Sequence, residues 1–321
     1  MEQDFVLHYL ELDGLGSAKR HQQLPQKLPA SGGHWLHLDC NDEAAPAWLA
    51  TVPDVPESVV DALFAEETRP RAVKMGNGIL LTLRGVNLNP GSDPSDMVSL
   101  RLWITPHVMI STRRRRLLSV ADQVQLLEQG EGATTIAELL TTLTQTLTDR
   151  MANVIAVLEE SLSDLEERMS ERVESQLRAT LVDYRLQTVR LRRFVVPQRD
   201  AIMRLASEMQ GWLTKEQAAQ IGESGNDITR YVEALESLRE RCLYLQEEFT
   251  NHQAEKMNAC MYVLSILSGI FMPLGFLTGL FGINVGGLPG TENGDAFWWF
   301  CAVLVVMGIG QYWLMRKSRW F

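Results

Sequence analysis

The spacing of apolar and polar residues divides the chain into three regimes. Up to about Thr112 the apolar runs are short and bounded by turn residues, the pattern of strands. His34–Asp39, Ile79–Asn87 and Ser99–Thr105 read as strands, and Pro106-His107 reads as a turn into a further strand, Val108–Thr112. Gly76-Asn77-Gly78 lies between Ala72–Met75 and Ile79–Leu83 and predicts a hairpin. The Pro- and Asp-rich stretch Asn89–Asp96 predicts a loop. From Ser119 the apolar period becomes helical. One helix is expected to about Gln129, where Gly130-Glu131-Gly132 ends it. A second is expected from Thr134 to about Met169, and a third over about Glu174–Met209, which Pro197 should kink or split.

The stretch that follows is the most regular. Ile228, Tyr231, Leu235, Leu238, Cys242, Leu245 and Phe249 alternate spacings of three and four, a heptad seam. His252 and Lys256 continue the register with polar residues. No glycine or proline interrupts Asn226 to Ser268, so one helix is expected from about Asp227 to Phe281. It reads as a stalk that carries motion between a soluble domain and a membrane segment.

The third regime is uncharged. Neither Met257–Phe281 nor Ala296–Met315 holds a charged residue. The first would span roughly 37 Å as a helix, more than the ~30 Å hydrocarbon core of a bilayer, and the second is just long enough to cross. Trp298 and Trp299 at one end of the second run, with Trp313 and Trp320 near the other, match aromatic anchors at the membrane–water boundary. The short loop between the runs makes them an antiparallel hairpin. Lys256, Arg316, Lys317 and Arg319 flank the hairpin while the loop has no Lys or Arg, which puts both termini in the cytoplasm. Two helices cannot enclose an aqueous path, so any conduction needs an oligomer. Gly275 and Gly279, with Ser265, Ser268 and Gly269, supply small residues for close packing, either within the hairpin or between chains.

Composition changes this picture little. A charged fraction of 22% resembles that of a soluble protein, but the formal net charge of −10 is −11 over residues 1–256 and +1 over the rest. An acidic soluble part argues against nucleic acid and is compatible with cations. Cys40, Cys242, Cys260 and Cys301 are scattered and form no CxxC pair, so neither a disulfide framework nor a thiolate zinc site is indicated. The N-terminus lacks the basic-then-apolar order of a secretory leader, and the bulk of the chain is expected in the cytoplasm. No nucleophile–base constellation or phosphate loop appears, so an enzyme is not expected. His34 and His37 suit one strand face poorly as a metal pair. The acids Glu159, Glu160, Asp164, Glu166 and Glu167 read as a solvated helix face. Arg113–Arg116 could pair with them or face water.

One stretch carries a family resemblance. Ile270 to Asn284, IFMPLGFLTGLFGIN, resembles the end of the first membrane helix of the CorA family of divalent-cation transporters, with Gly282-Ile283-Asn284 where that family shows Gly-Met-Asn. The following Val285–Gly290, VGGLPG, resembles the zinc-transporting branch more than the magnesium branch, whose loop is more aromatic and acidic. The resemblance implies a CorA-like fold: an α+β cytoplasmic domain with an α/β/α sheet layer and long helices, then a stalk helix and a two-helix transmembrane hairpin. The domains would be 1–118, 119–256 and 257–321, with membrane helices at about 257–281 and 296–315. It also implies a homopentamer in the bacterial inner membrane, with the first membrane helix lining the pore and a ring of Asn284 at its outer mouth, together with Gly282 and Ile283. Helical spacing puts Met261, Leu264, Ser268, Met272 and Gly275 on one face, which could meet lipid or another helix, and the resemblance implies that it lines the pore. The expected substrates are Zn2+ and related Cd2+, Ni2+ and Co2+, with no resident cofactor. His252 is a candidate metal ligand at the inner throat, since imidazole suits zinc. A magnesium or cobalt channel, or a membrane-anchored sensor without transport, are the competing readings.

Overall fold

The computed structural model describes residues 5–66, 68–171, 175–208, 211–283, 288, 290 and 292–317, with side chains left aside at 170, 171 and 175. The chain forms two compact units, Met1–Gln246 and Glu247–Phe321.

The first unit is built on a seven-stranded sheet. Its strands are β1 (Val6–Leu12), β2 (Ala18–Arg20), β3 (Gly33–Asp39), β4 (Arg71–Met75), β5 (Gly78–Gly85), β6 (Val98–Ile104) and β7 (Val108–Arg113). The order is β2-β1-β3-β7-β6-β5-β4. Only β3 and β7 pair in parallel; the other neighbours are antiparallel. The central strands β3, β5, β6 and β7 are buried on nearly every residue, so both faces of the sheet are covered. Helices α1 (Ala44–Ala50) and α2 (Glu57–Phe64) cover one face. There Leu49, Val59 and Leu63 pack with Leu36, Leu38, Trp103 and Ile110. Helices α3 (Leu118–Gln129), α4 (Ile136–Glu171) and α5 (Ser175–Glu208) follow. Of these, α4 and α5 pack on β5, and α5 also on β4. This is the expected α/β/α layering.

The expected hairpin is β4–β5, with Met75 opposite Gly78. Gly76 takes a φ of +62°, where a side chain would be strained. Gly78 is required for a different reason: a Cβ there would lie 2.7 Å from the Ile104 carbonyl oxygen and 2.8 Å from Trp103 Nε1.

Three expectations are corrected. Helix α5 is not split at Pro197 but continues through it. Helix α6 (Lys215–Phe281) begins well before Asp227. Its start is fixed by a capping box: Gln217 N donates to Thr214 Oγ1 at 3.2 Å, and Thr214 N donates to Gln217 Oε1 at 3.0 Å. Gly225, which reads as a helix breaker, is accommodated because it lets Met203 of α5 approach; a Cβ there would be 2.6 Å from the Met203 sulfur. Third, of the two readings left open for Arg113–Arg116, pairing with the α4 acids is not seen among the described residues. Arg115 instead bridges to Asp96 at 2.7 Å.

The heptad seam is buried within its own chain. Ile228, Leu235, Leu238, Cys242 and Leu245 are almost fully covered. Polar ties flank them: Arg241 to Glu166 and Ser163 of α4, and Arg192 of α5 to Glu236. Gln198 ties α5 to the sheet. The β4 ladder ends at Arg71 opposite Thr82, leaving the outer edge of β5 open at Arg84. Fully buried Gln198 fills that gap: its Oε1 accepts from Arg84 N at 2.7 Å and its Nε2 donates to Arg84 O at 3.0 Å. Gln198→Leu would strand both backbone groups. It is expected to destabilise the first unit by about 2–4 kcal/mol, read as a lower urea midpoint of the full chain in detergent.

Candidate functional site

In the second unit, α6 past Gln246 and α7 (Ala296–Lys317) are both long and apolar enough to cross a bilayer, and their apolar windows are not buried. A core helix of a soluble protein would be covered on at least one face. The two helices meet at two levels, at the middle and the end of the apolar part of α6 and near both ends of α7. A Cβ on Gly269 would collide with Met315 Cε, and the rings of Phe281 and Phe300 are 4.9 Å apart. These pairs run in opposite chain directions, so the helices form an antiparallel hairpin. Trp298, Trp299 and Trp313 are exposed, and Lys317 Nζ lies 5.1 Å from the Trp313 ring centre.

The contact face of α6 is set by Ile266, Gly269, Ile270, Leu274 and Leu277, all partly covered. Met261, Leu264, Ser268, Met272 and Gly275 lie on the other side of the same helix, about half a turn away at 3.6 residues per turn. All five are exposed, with Met261, Leu264 and Met272 at 58%, 64% and 72%. They thus share one face, and that face is not spent on α7. The small residues divide in the same way. Gly269 is the glycine pressed against α7, whereas a Cβ at Gly275 or Gly279 would meet nothing within 4 Å.

Helix α6 ends at Phe281, and Gly282 N donates to Thr278 O at 2.9 Å. Gly282 is not in the left-handed region. Glycine is needed there because a Cβ would come within 2.9 Å of the Thr278 oxygen. Thr278 Oγ1 in turn donates to the carbonyls of Leu274 and Gly275. Ile283 is exposed, while Asn284 lies outside the described residues. Below the apex, Thr278, Phe281, Gly282, Phe297 and Phe300 line a cavity of about 380 Å3.

His252 sits on α6 with Nδ1 3.9 Å from Glu255 Oε2. Among the described residues no group of three or more His, Cys, Asp or Glu could hold a metal ion. His34 and His37 point to opposite sides of β3: His34 Nδ1 faces Tyr9 OH at 3.4 Å, and His37 Nδ1 faces Ser111 Oγ at 2.7 Å.

The family model of the CorA-like Mg2+ transporter protein matches residues 30–317. The chain belongs to the CorA-like family. Its relatives include the divalent cation transporter CmaX of Pseudomonas aeruginosa, 38% identical over 99% of this chain and 97% of that protein. They also include the zinc transport protein ZntB of Yersinia enterocolitica, 36% identical over 89% of this chain and 87% of that protein. The solved full-length CmaX structure superposes with a TM-score of 0.85 at 36% identity, covering 100% of this chain and 99% of the other. As a CorA-like protein the chain is an ion transporter and not an enzyme, a divalent-cation transporter of the CorA/ZntB type.

Proposed function

We propose that this CorA-like protein carries zinc and related divalent cations through an oligomeric pore lined by the α6 face of Met261, Leu264, Ser268, Met272 and Gly275. The observation that carries the proposal is the division of labour on α6. One face is occupied by α7, and the opposite face holds the five pore candidates and stays open. The open Gly275 and Gly279 allow close approach of a neighbouring copy, as a homopentamer requires. Zinc as the preferred ion is supported by the relative named as a zinc transport protein and by the loop Val285–Gly290.

In this reading residues 1–118 and 119–256 are cytoplasmic and 257–321 form the membrane hairpin, both termini inside. The C-termini of the α6 helices converge at the outer mouth, where their negative dipole ends favour cations. A ring of Asn284 amides there contacts the hydration shell of an ion that gives up water reluctantly, and binds weakly enough to release it. His252, below the membrane, is a transient imidazole contact for zinc on the way.

Asn284→Ala is expected to lower zinc uptake into proteoliposomes by about tenfold or more, the scale of one lost charge-assisted contact. Normal uptake by this variant would mean the loop is expendable. Parallel runs with Cd2+, Ni2+, Co2+ and Mg2+ rank the ions; a clear preference for Mg2+ would replace zinc as the substrate. An imposed pH gradient in the same vesicles tests proton coupling.

A further inference from the structure

The first unit carries a cleft of about 540 Å3 whose wall includes Arg69, Arg192, Arg193 and Arg239 over an apolar floor of Val196 and Pro197. It lies where α5 and α6 face the segment leading into β4. Arginines of three separate chain segments converge there in a protein whose formal net charge is −10. One carboxylate serves two of them. Glu236 accepts from Arg192 Nε at 2.7 Å through Oε2, and from Arg239 Nη2 at 2.7 Å and Nε at 3.0 Å through Oε1. Those bonds, Arg239's first, hold Glu236 below the usual carboxylate range, so it stays charged. The acid on the cleft wall, Asp200, is already held by Arg199 at 2.8 Å. Arg69 and Arg193 have no carboxylate partner among the described residues, and Arg193 rests over the Phe194 ring at 5.3 Å. Like charges gathered at this density repel one another unless an anion joins them.

We propose that this cleft binds a phosphate-bearing anion of nucleotide size. Guanidinium forks pair bidentately with carboxylate and phosphate alike, but a phosphate offers further oxygens and more charge, so one group can join arginines of more than one segment, which a chloride or a single carboxylate cannot do as fully. The volume lies within the range of small-molecule sites, and an apolar floor beside a charged rim suits a ligand with a flat apolar part and a polyanionic end. The concave shape favours a small ligand over the flat face of a second copy.

The test uses the full chain in detergent, with a chelator present to remove divalent ions. Binding of trinitrophenyl-ATP is followed by fluorescence anisotropy, with ATP, pyrophosphate and inorganic phosphate as competitors. Saturable binding is expected, with ATP competing at lower concentration than pyrophosphate because of the apolar floor. The double variant Arg69→Gln, Arg193→Gln is expected to weaken binding by about tenfold or more, while Arg20→Gln, at a residue that pairs with Glu128 away from the cleft, leaves it within about twofold. Zinc flux of the double variant should remain, which separates this site from the pore. Three outcomes would overturn the proposal: no saturable binding to the parent chain, equal binding by the double variant, or loss of the oligomer in that variant on size-exclusion chromatography. The last would show that the arginines seat carboxylates of a neighbouring copy.

Discussion

Met272→Lys is expected to stop metal flux while leaving the hairpin inserted. Met272 is 72% exposed on the side of α6 that α7 does not touch, next to Pro273 and one turn before Gly275 and Phe276. On the proposed pore face, each copy of the chain would place one ammonium against the ion path. A divalent ion about 6 Å from a single ammonium is repelled by roughly 5 kcal/mol at an effective dielectric constant of 20. That alone slows passage more than a thousandfold, and an oligomer multiplies it. Were the same face turned to lipid, the lysine would instead cost about 3 kcal/mol of insertion per helix and reduce the amount of protein in the membrane. The two arrangements therefore separate on two readouts, membrane yield and flux per inserted protein. Met272→Leu keeps volume and polarity and should retain flux within a few-fold. Normal transport by an inserted Met272→Lys protein would remove this face from the pore.

What could be read in advance follows from which signals are local. β3, β5, β6 and β7 are legible because each is a short apolar run closed by a turn, and the Gly76-Asn77 turn announces its hairpin. β1, β2, α1 and α2 are not. β1 interleaves His8 and Glu11 with its apolar residues, β2 is a three-residue edge strand, and α1 carries Pro46 inside so few turns that no helical period develops. The early start of α6 is marked by the capping pair Thr214 and Gln217, but Gly222 and Gly225 follow it, and only the fold shows that Gly222 lies in open space and that Gly225 makes room for Met203 of α5.

The site divides in the same way. Spacing alone groups Met261, Leu264, Ser268, Met272 and Gly275 on one face. It does not tell whether Gly269 or the Gly275–Gly279 pair meets α7, because that depends on the length and aim of Met315, some forty-six residues on. The role proposed for Gly282-Ile283-Asn284 rests on family likeness, and Gly282 itself is explained by a close approach to Thr278 and not by backbone handedness. The arginine cleft could not be seen in the sequence, since Arg69 lies far along the chain from Arg192 and Arg239 and only the fold brings them together.

Acidification from pH 7 to pH 5 is expected to weaken the first unit, with His37 as the main cause. His37 is fully buried in β3. Its Nδ1 lies 2.7 Å from Ser111 Oγ, and its Nε2 has no partner among the described residues. Burial first, then the charges of Arg113 and His8, pushes the imidazole pKa well below its ordinary value. His8, opposite it on β1 with ring centres 6.0 Å apart, is brought down to about 4 by burial and then by Arg20 and Arg113, with Glu128 of α3 opposing. Both rings are therefore neutral in the fold at pH 5, whereas in the unfolded chain they protonate near pH 6.5. Between the folded and unfolded pKa values the unfolded chain holds more protons, so stability rises with pH and is lost as pH falls below about 6.5. For His37 the loss is about 1.4 kcal/mol per pH unit, or about 2 kcal/mol by pH 5. His8 adds less because part of its ring meets solvent. The urea midpoint of the full chain in detergent, taken at steps from pH 7.5 to pH 5, reads the slope directly. His37→Gln removes one titrating ring and should flatten the slope by roughly one proton, whatever it does to stability at pH 7. An unchanged slope in that variant would mean that the His37 ring takes up its proton equally in the folded and unfolded chain, with a polar partner at Nε2 offsetting its burial.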